Sequence, residues 1–175
     1  MPIKKGIPLY DQADPDGYWG QFGGNYLPDP LLKPADDLHT SFQELRHDKN
    51  FLKDLEKLRT EYIGRPTPFF KLENLTKHLG GAQIWCKQVS EAHGGAHKIY
   101  NATVHALIAR KAKKRFIIGD TGAGYAGKML SMAAKKFGLK CKIFMGTKDI
   151  ARQSINCKAI RKNGAEIVPV DSGSK

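Results

Sequence analysis

One stretch decides the fold: FIIGDTGAGYAGK, residues 116–128. It opens with three apolar residues of the kind that fill a buried strand. A glycine loop follows, and the apolar residues after the loop take helical spacing. Other strand-like runs alternate with helix-like segments in the same way, the strands at 83–88, 141–145 and 167–170 and the helices at 98–113, 125–137 and 149–162. The alternation predicts an α/β fold, with a parallel sheet of βαβ units flanked by helices.

The composition is that of an ordinary globular chain. The 175 residues are 41% hydrophobic, and no run of about 18 apolar residues is present. The first residues lack the apolar segment of a signal peptide. The three cysteines are widely spaced without a C-x-x-C pair, which predicts neither a disulfide framework nor a metal site. We therefore expect a protein of the reducing cytoplasm.

The charge is strongly basic, with a formal net charge of +12 and a pI near 9.6. Most cations are lysines spread along the chain, and the densest cluster, residues 110–115, falls at the end of a predicted helix. Cations at that place complement the helix dipole. No basic strand rich in aromatic residues, as in RNA-binding domains, is present. The sequence therefore predicts no nucleic-acid partner and no membrane partner.

The pattern changes near residue 82, which predicts two parts. Residues 1–81 read as an N-terminal extension and helices that pack on the core. Residues 82–175 read as the α/β core. The sequence stops directly after the strand at 167–170. Because parallel strands are normally covered on both faces, we expect the sheet to be incomplete.

A second glycine loop precedes a helix at HGGAHKIYN, residues 93–101. Lys98 stands at the helix start, where free N–H groups and the helix dipole disfavour an ammonium relative to a neutral amine. A neutral amine is the nucleophile of Schiff-base chemistry, and the same helix start suits a phosphate. An ordinary solvated surface lysine is the alternative.

The loop after residue 118 allows two interpretations. Gly122, Gly124 and Gly127 form G-x-G-x-x-G between a strand and a helix, the pattern of an NAD(P)-binding Rossmann domain. The acidic residue expected after the next strand is poorly placed for that function. Alternatively, the N–H groups of the loop bind a small anion such as a substrate carboxylate. Asp120 would then face the ligand and transfer protons, although an Asp at this place is often only a turn residue.

Taken together, the motifs resemble the β-subunit family of tryptophan synthase, and they occur in family order over nearly the whole chain. The matching segments are FGGNYLP (22–28), GRPTP (64–68), ENLT (73–76), GAHKI (95–99), TGAG (121–124), MG (145–146), RQ (152–153) and GAEIVPV (164–170). The resemblance implies a fold-type II enzyme that uses pyridoxal 5′-phosphate (PLP).

The resemblance also implies roles for individual residues. Lys98 matches the lysine that holds PLP as a Schiff base, and His97 matches its neighbour near the cofactor phosphate. The carboxylate of the substrate is gripped by the loop Thr121, Gly122, Ala123 and Gly124. Family members eliminate water from L-serine and add indole to the aminoacrylate, working as a β homodimer, usually with an α subunit. Asp120 stands where the family has a catalytic glutamate, and Tyr125 and Ala126 replace Gln and His.

The second half of the family chain, with its phosphate-binding glycines, has no counterpart in this sequence. We therefore expect little or no tryptophan formation from this chain alone. The alternative is a non-catalytic fragment that acts as a subunit-binding module.

Overall fold

The computed structural model describes residues 13–14 and 17–171. The chain divides into two compact units, residues 1–40 and 41–175. The predicted division after residue 81, with the first part packing on the core, stays a prediction. Within the described residues, no helix is long and apolar enough to cross a membrane.

The first unit contains a short antiparallel hairpin, β1 (Tyr18–Trp19) and β2 (Phe22–Gly23). A helix, α1 (Asp29–Leu45), begins in this unit and ends in the second. The helix starts at the Asp29-Pro30 pair, because proline is tolerated in a first turn, where N–H groups have no helical partner.

The second unit continues with α2 (Lys49–Lys57), whose first turn is capped by Asp48. The Asp48 Oδ1 accepts hydrogen bonds from the N–H groups of Asn50 and Phe51, at 2.7 and 3.2 Å. A π-helical turn, Leu58–Tyr62, extends the helix, and Gly64 follows it at φ +81°.

A small hairpin and a short helix come next: β3 (Phe69–Lys71), α3 (Glu73–Leu79) and β4 (Trp85–Lys87). β4 pairs with β3 in an antiparallel two-stranded sheet. The prediction that the strand at 83–88 belongs to the parallel alternation was therefore wrong. The partner strand has three residues, which is too short for a periodicity signal.

The core of the second unit is a three-stranded parallel sheet in the order β5 (Phe116–Thr121), β6 (Lys140–Gly146), β7 (Glu166–Val170). Its helices are α4 (Lys98–Lys111), α5 (Tyr125–Phe137), α6 (Thr147–Arg152) and α7 (Ser154–Lys162). The α/β fold with a parallel sheet is confirmed. The single helix predicted at 149–162 was wrong, because the backbone breaks at Gln153 (φ −110°, ψ 42°).

One face of this sheet is buried under helices. Met129 of α5, Ile143 of β6 and Ile160 of α7 are each 0% exposed and belong to one apolar cluster. Burying a side chain of this size contributes about 1.5–3 kcal/mol. The other face is open: Phe116 is 47% and Ile118 66% exposed. The structure therefore has a parallel sheet with one uncovered face, on which large apolar side chains are exposed, unlike the usual arrangement.

Candidate functional site

The two glycine loops lie at the same edge of the sheet. α4 has 14 residues and is about 21 Å long, which matches the length of the six-residue strand that follows it. Since α4 ends where β5 begins, its first residue, Lys98, lies at the carboxyl-terminal edge. α5 starts from that edge directly after β5. The topology therefore brings together the two helix starts that the sequence predicts as site elements.

A direct contact joins the two loops. The hydroxyl of Tyr125, the first residue of α5, donates a hydrogen bond to the carbonyl oxygen of Gly94. Gly94 has φ +87°, and a Cβ atom there would lie 2.6 Å from Sδ of Met129, which is fully buried. The loop before Lys98 is therefore pressed against α5, and only glycine fits this conformation and this space.

Lys98 and His97 are both exposed. Within the described part of the chain, the Lys98 amine has no hydrogen-bond or ion-pair partner. The backbone N–H groups of Ala96 and His97 likewise have no acceptor among the described residues. This helix start thus presents an unengaged primary amine beside unengaged N–H donors, which suits a ligand that carries both a carbonyl and an anionic group.

The loop at 121–124 presents a row of N–H donors. In residues 17–171, no acceptor is found for the N–H groups of Gly122, Ala123 and Gly124. Nδ2 of Asn156, on α7, donates to the Ala123 carbonyl oxygen at 2.7 Å. Because the carbonyl is held from the protein side, the loop keeps a fixed shape. Consecutive N–H groups at a helix start form an anion-binding site, and a carboxylate suits its size.

Thr121 differs from the rest of its loop because its hydroxyl binds the protein itself. The residue is buried, and its Oγ1 accepts a hydrogen bond from the Gly127 N–H at 3.3 Å. Its hydroxyl therefore caps the first turn of α5. The predicted set Thr121, Gly122, Ala123 and Gly124 is contiguous in space, but the N–H donors without an acceptor in residues 17–171 belong to the three residues after the threonine, of which Gly122 and Ala123 are exposed and Gly124 is buried.

Asp120 is the next-to-last residue of β5 and lies opposite Phe144 of β6 in the ladder. Its side chain is exposed on the open face of the sheet, on the same side as Ile118. The described residues offer its carboxylate no hydrogen-bond or ion-pair partner. The carboxylate is therefore available, two residues before the row of N–H donors that begins at Gly122.

Three positioning residues were not predicted as such: Tyr125, Met129 and Asn156. Their partners are 31, 35 and 33 residues away in the chain, at Gly94, Gly94 and Ala123. Asn156 alone left a signal, because asparagine is a poor choice inside a helix unless its side chain has a partner.

An aromatic pair lies behind the loop at 93–97. The rings of Tyr62 and His93 have centroids 4.6 Å apart, and the Lys136 ammonium lies 4.2 Å from the Tyr62 ring centre. The N–H of His93 donates to the Ile63 carbonyl oxygen at 2.9 Å. Burial raises the pKa of the Tyr62 phenol, so the group stays neutral at physiological pH. This side of the loop serves packing.

Comparison with known proteins finds relatives by sequence along most of the chain. Residues 60–175 match the model of a family described as pyridoxal-phosphate dependent enzyme. The tryptophan synthase beta chain of Bacillus subtilis (strain 168) is 42% identical over 166 residues, which are 95% of this chain and 42% of that protein. The tryptophan synthase beta chain of Leptospira biflexa is 43% identical over 157 residues, 90% of this chain and 40% of that protein. The chain thus spans about two fifths of these relatives.

Solved structures share the fold at lower identity. The serine racemase of Dictyostelium discoideum has a TM-score of 0.56 and 22% identity, covering 70% of this chain and 39% of that one. Diaminopropionate ammonia lyase of Escherichia coli has a TM-score of 0.53 and 22% identity, covering 69% and 38%. A pyridoxal 5′-phosphate-dependent aspartate racemase has a TM-score of 0.52 and 23% identity, covering 67% and 37%. With a family model that matches residues 60–175, the chain belongs to the pyridoxal-phosphate dependent enzymes.

Proposed function

We propose that this chain is the N-terminal portion of a tryptophan synthase β-like enzyme that joins L-serine and indole. One observation carries the proposal: three consecutive N–H donors that lack an acceptor among the described residues, at Gly122 to Gly124, stand at the sheet edge that also bears the unengaged Lys98 amine. A PLP enzyme that acts on an amino acid needs these two features together. The N–H donors would bind the carboxylate of the substrate, and the Lys98 amine would bind the cofactor.

The residues fit PLP, the cofactor of the family. Lys98 offers an exposed primary amine for the aldehyde, and His97 with the free N–H groups beside it would lie near the phosphate. Bound there, PLP supplies an electron sink for the substrate Cα–H bond and leaving group. The protein contributes the amine, the anion site and the orientation of the substrate.

In this proposal Asp120 transfers protons. Its exposed side chain lies near the end of β5, directly before the loop at 121–124 that would bind the substrate carboxylate. The family resemblance implies a glutamate at this place, so the carboxylate here would be one methylene closer to the backbone. A displacement of about 1 Å can cost about 10²-fold in rate. We therefore propose that proton transfer by Asp120 is slow or absent.

A labelling experiment tests cofactor binding. The chain is incubated with PLP, treated with borohydride to reduce any imine, digested and analysed by mass spectrometry. We expect the pyridoxyl adduct mainly at Lys98 and its loss in Lys98→Ala. Lys49→Ala is the matched control, because Lys49 is also the exposed first residue of a helix. Equal labelling at Lys49 and Lys98 would show ordinary amine reactivity and refute the site.

A second experiment tests the carboxylate loop. Gly124 has φ +83°, and a Cβ atom there would lie 2.6 Å from Cβ of Asn156, so Gly124→Ala must displace the loop. Gly138→Ala is the control, because Gly138 also has positive φ, +67°, but has no atom within 4 Å. With PLP present, we expect L-serine to shift the cofactor absorbance of wild type and Gly138→Ala but not of Gly124→Ala. A retained shift in Gly124→Ala would contradict the assignment.

A non-catalytic subunit-binding module is a second candidate, and the exposure of the site favours it. Lys98, His97 and Asp120 all face solvent, whereas catalysis of this kind needs an active site that excludes water. The partners proposed are an α subunit and a second β-type chain, as a homodimer. A complex in gel filtration without tryptophan formation from serine and indole would support this candidate, and a chain that stays monomeric with both would count against it. We place either function in the cytoplasm, since the three cysteines are free thiols.

A further inference from the structure

Basic residues concentrate at the amino-terminal edge of the sheet, with few acidic residues among them. Three helices, α4, α5 and α7, each end just before one of the parallel strands β5, β6 and β7. Their carboxyl ends therefore meet at one edge, and the N–H of Lys140 donates to the carbonyl oxygen of Arg115 at 3.0 Å across it. In sequence, only the cluster at 110–115 stood out, and the helix dipole sufficed to explain it.

Three segments make up this basic edge: residues 110–115, 135–140 and 161–166. They contain one acidic residue, Glu166, and ten basic residues, a net +9 of the formal +12 of the whole chain. The ten are Arg110, Lys111, Lys113, Lys114, Arg115, Lys135, Lys136, Lys140, Arg161 and Lys162.

Little of this charge is neutralised within the protein. Lys142 pairs with Glu166 at 3.1 Å, and Lys111 pairs with Asp54 at 2.8 Å. Lys136 and Lys140 lie over aromatic rings. The others have no anionic partner in the described residues; they are Arg110, Lys113, Lys114, Arg115, Lys135, Arg161 and Lys162. Dipole complementarity at three helix ends does not require seven such cations, since the effect is confined to the last turn.

We propose that the basic edge binds the phosphate backbone of nucleic acid without reading its sequence. The alternative macromolecule is an acidic protein. A protein interface has an apolar core inside its polar rim, and the three segments carry cations with few apolar side chains exposed among them. A surface of lysines and arginines alone contacts phosphates, which position a protein on nucleic acid but carry no sequence information.

The basic edge is separate from the candidate active site. Lys98 begins α4, and Arg110 and Lys111 lie in its last turn, about 20 Å away along the helix. Loss of one function therefore leaves the other measurable.

A binding experiment with the full chain tests the proposal. The probe is a fluorescein-labelled 20-base-pair duplex of arbitrary sequence, and its binding is followed by fluorescence anisotropy over a range of salt concentrations. Each phosphate contact contributes a slope of about −0.9 in log K against log salt. We expect the double variant Lys113→Glu, Lys135→Glu to bind at least about tenfold more weakly, with a salt slope reduced by about 2. The neutral pair Lys113→Gln, Lys135→Gln should show a smaller loss in the same direction.

The matched control is Lys77→Glu, Lys148→Glu, which changes the net charge equally outside the three segments. We expect less than about a threefold change in its affinity. Far-UV circular dichroism and urea unfolding show whether each variant is folded. Equal weakening by the control, or competition by poly-L-glutamate as effective as that by unlabelled duplex, would overturn the assignment to nucleic acid. Absence of salt-dependent binding by wild type would overturn it as well.

Discussion

Gly127 lies in the first turn of α5, where the helix approaches the sheet closely. A Cβ atom at this position would lie 2.8 Å from Cγ2 of Ile143, 3.1 Å from Cδ1 of Ile160 and 3.1 Å from Cγ2 of Thr121. Both isoleucines are 0% exposed and belong to the main apolar cluster, so a shift of either side chain must displace its neighbours. Gly127→Ala thus sets two effects against each other, because alanine favours the helix but overfills the core.

The magnitudes decide the sign. Alanine in place of glycine inside a helix stabilises by about 1 kcal/mol. An extra methyl group in a packed core costs about 1–3 kcal/mol, and three close contacts with buried atoms place this case at the upper end. We expect Gly127→Ala to lower the free energy of unfolding by about 1–2 kcal/mol, with a fall in Tm of roughly 2–8 °C.

Urea unfolding followed by circular dichroism measures this change. Gly122→Ala is the control, because a Cβ atom at Gly122 would have no other atom within 4 Å and the residue does not have positive φ. We expect it to be unchanged or up to about 1 kcal/mol more stable, since alanine restricts the unfolded chain. A Gly127→Ala protein as stable as wild type, with the same dependence on urea, would refute the inference that Ile143 and Ile160 hold α5 at a fixed distance.

Three further predictions concern single residues, namely Tyr125, Asp48 and Cys141. Tyr125→Phe removes the hydrogen bond to the Gly94 carbonyl oxygen and should lower the free energy of unfolding by about 0.5–1.5 kcal/mol, measured in urea, while slowing the PLP labelling described above; unchanged values would contradict the role of this contact. Asp48→Ala removes the cap of α2 and should cost about 1 kcal/mol, whereas Asp48→Asn should cost less because amide oxygens also cap helices. Burial raises the pKa of Cys141 from 9.0 to about 11, so its thiolate fraction at pH 8 is about a hundredfold below that of an ordinary thiol. Alkylation read by mass spectrometry should therefore modify partly exposed Cys86 well before Cys141. The folded state favours the Cys141 thiol, so its contribution to stability is complete below pH 9 and falls as pH rises toward 11; stability that rises with pH in this window would contradict the shift.

Some element boundaries follow from local signals in the sequence. The cap at Asp48 and the helix end at Gly138 depend on residue types within one turn. The break at Gln153 was missed because neither glycine nor proline marks it. The antiparallel pairing of β3 with β4 was missed because strand pairing depends on tertiary contacts, which a three-residue strand does not indicate in its sequence.

The predicted site shows the same limit. The positions of Lys98 and the loop at 121–124 follow from strand–loop–helix patterns, which are local. The contact that joins the loops, from Tyr125 to Gly94, spans 31 residues and leaves no pattern in either segment. Gly127 explains why the glycine pattern alone did not separate a dinucleotide site from an amino-acid site. Its missing side chain lets α5 pack closely on the sheet, a requirement that both kinds of site share.

If the proposed function holds, binding and turnover are expected to separate in this chain, because the groups proposed for binding are present in the described residues but are open to water. Asn156 and Tyr125 fix the two loops from the protein side, so the donors at Gly122 to Gly124 are organised without a ligand. Yet Lys98 and Asp120 are exposed, and Asp120 lies on the sheet face where Ile118 is 66% exposed. Water at such a site weakens each electrostatic contact and competes for reactive intermediates. The labelling of Lys98 by PLP should therefore be measurable under conditions in which serine and indole give no tryptophan. Supplying the remaining three fifths of a related β chain should then restore turnover only if it covers this face and buries the Asp120 carboxylate.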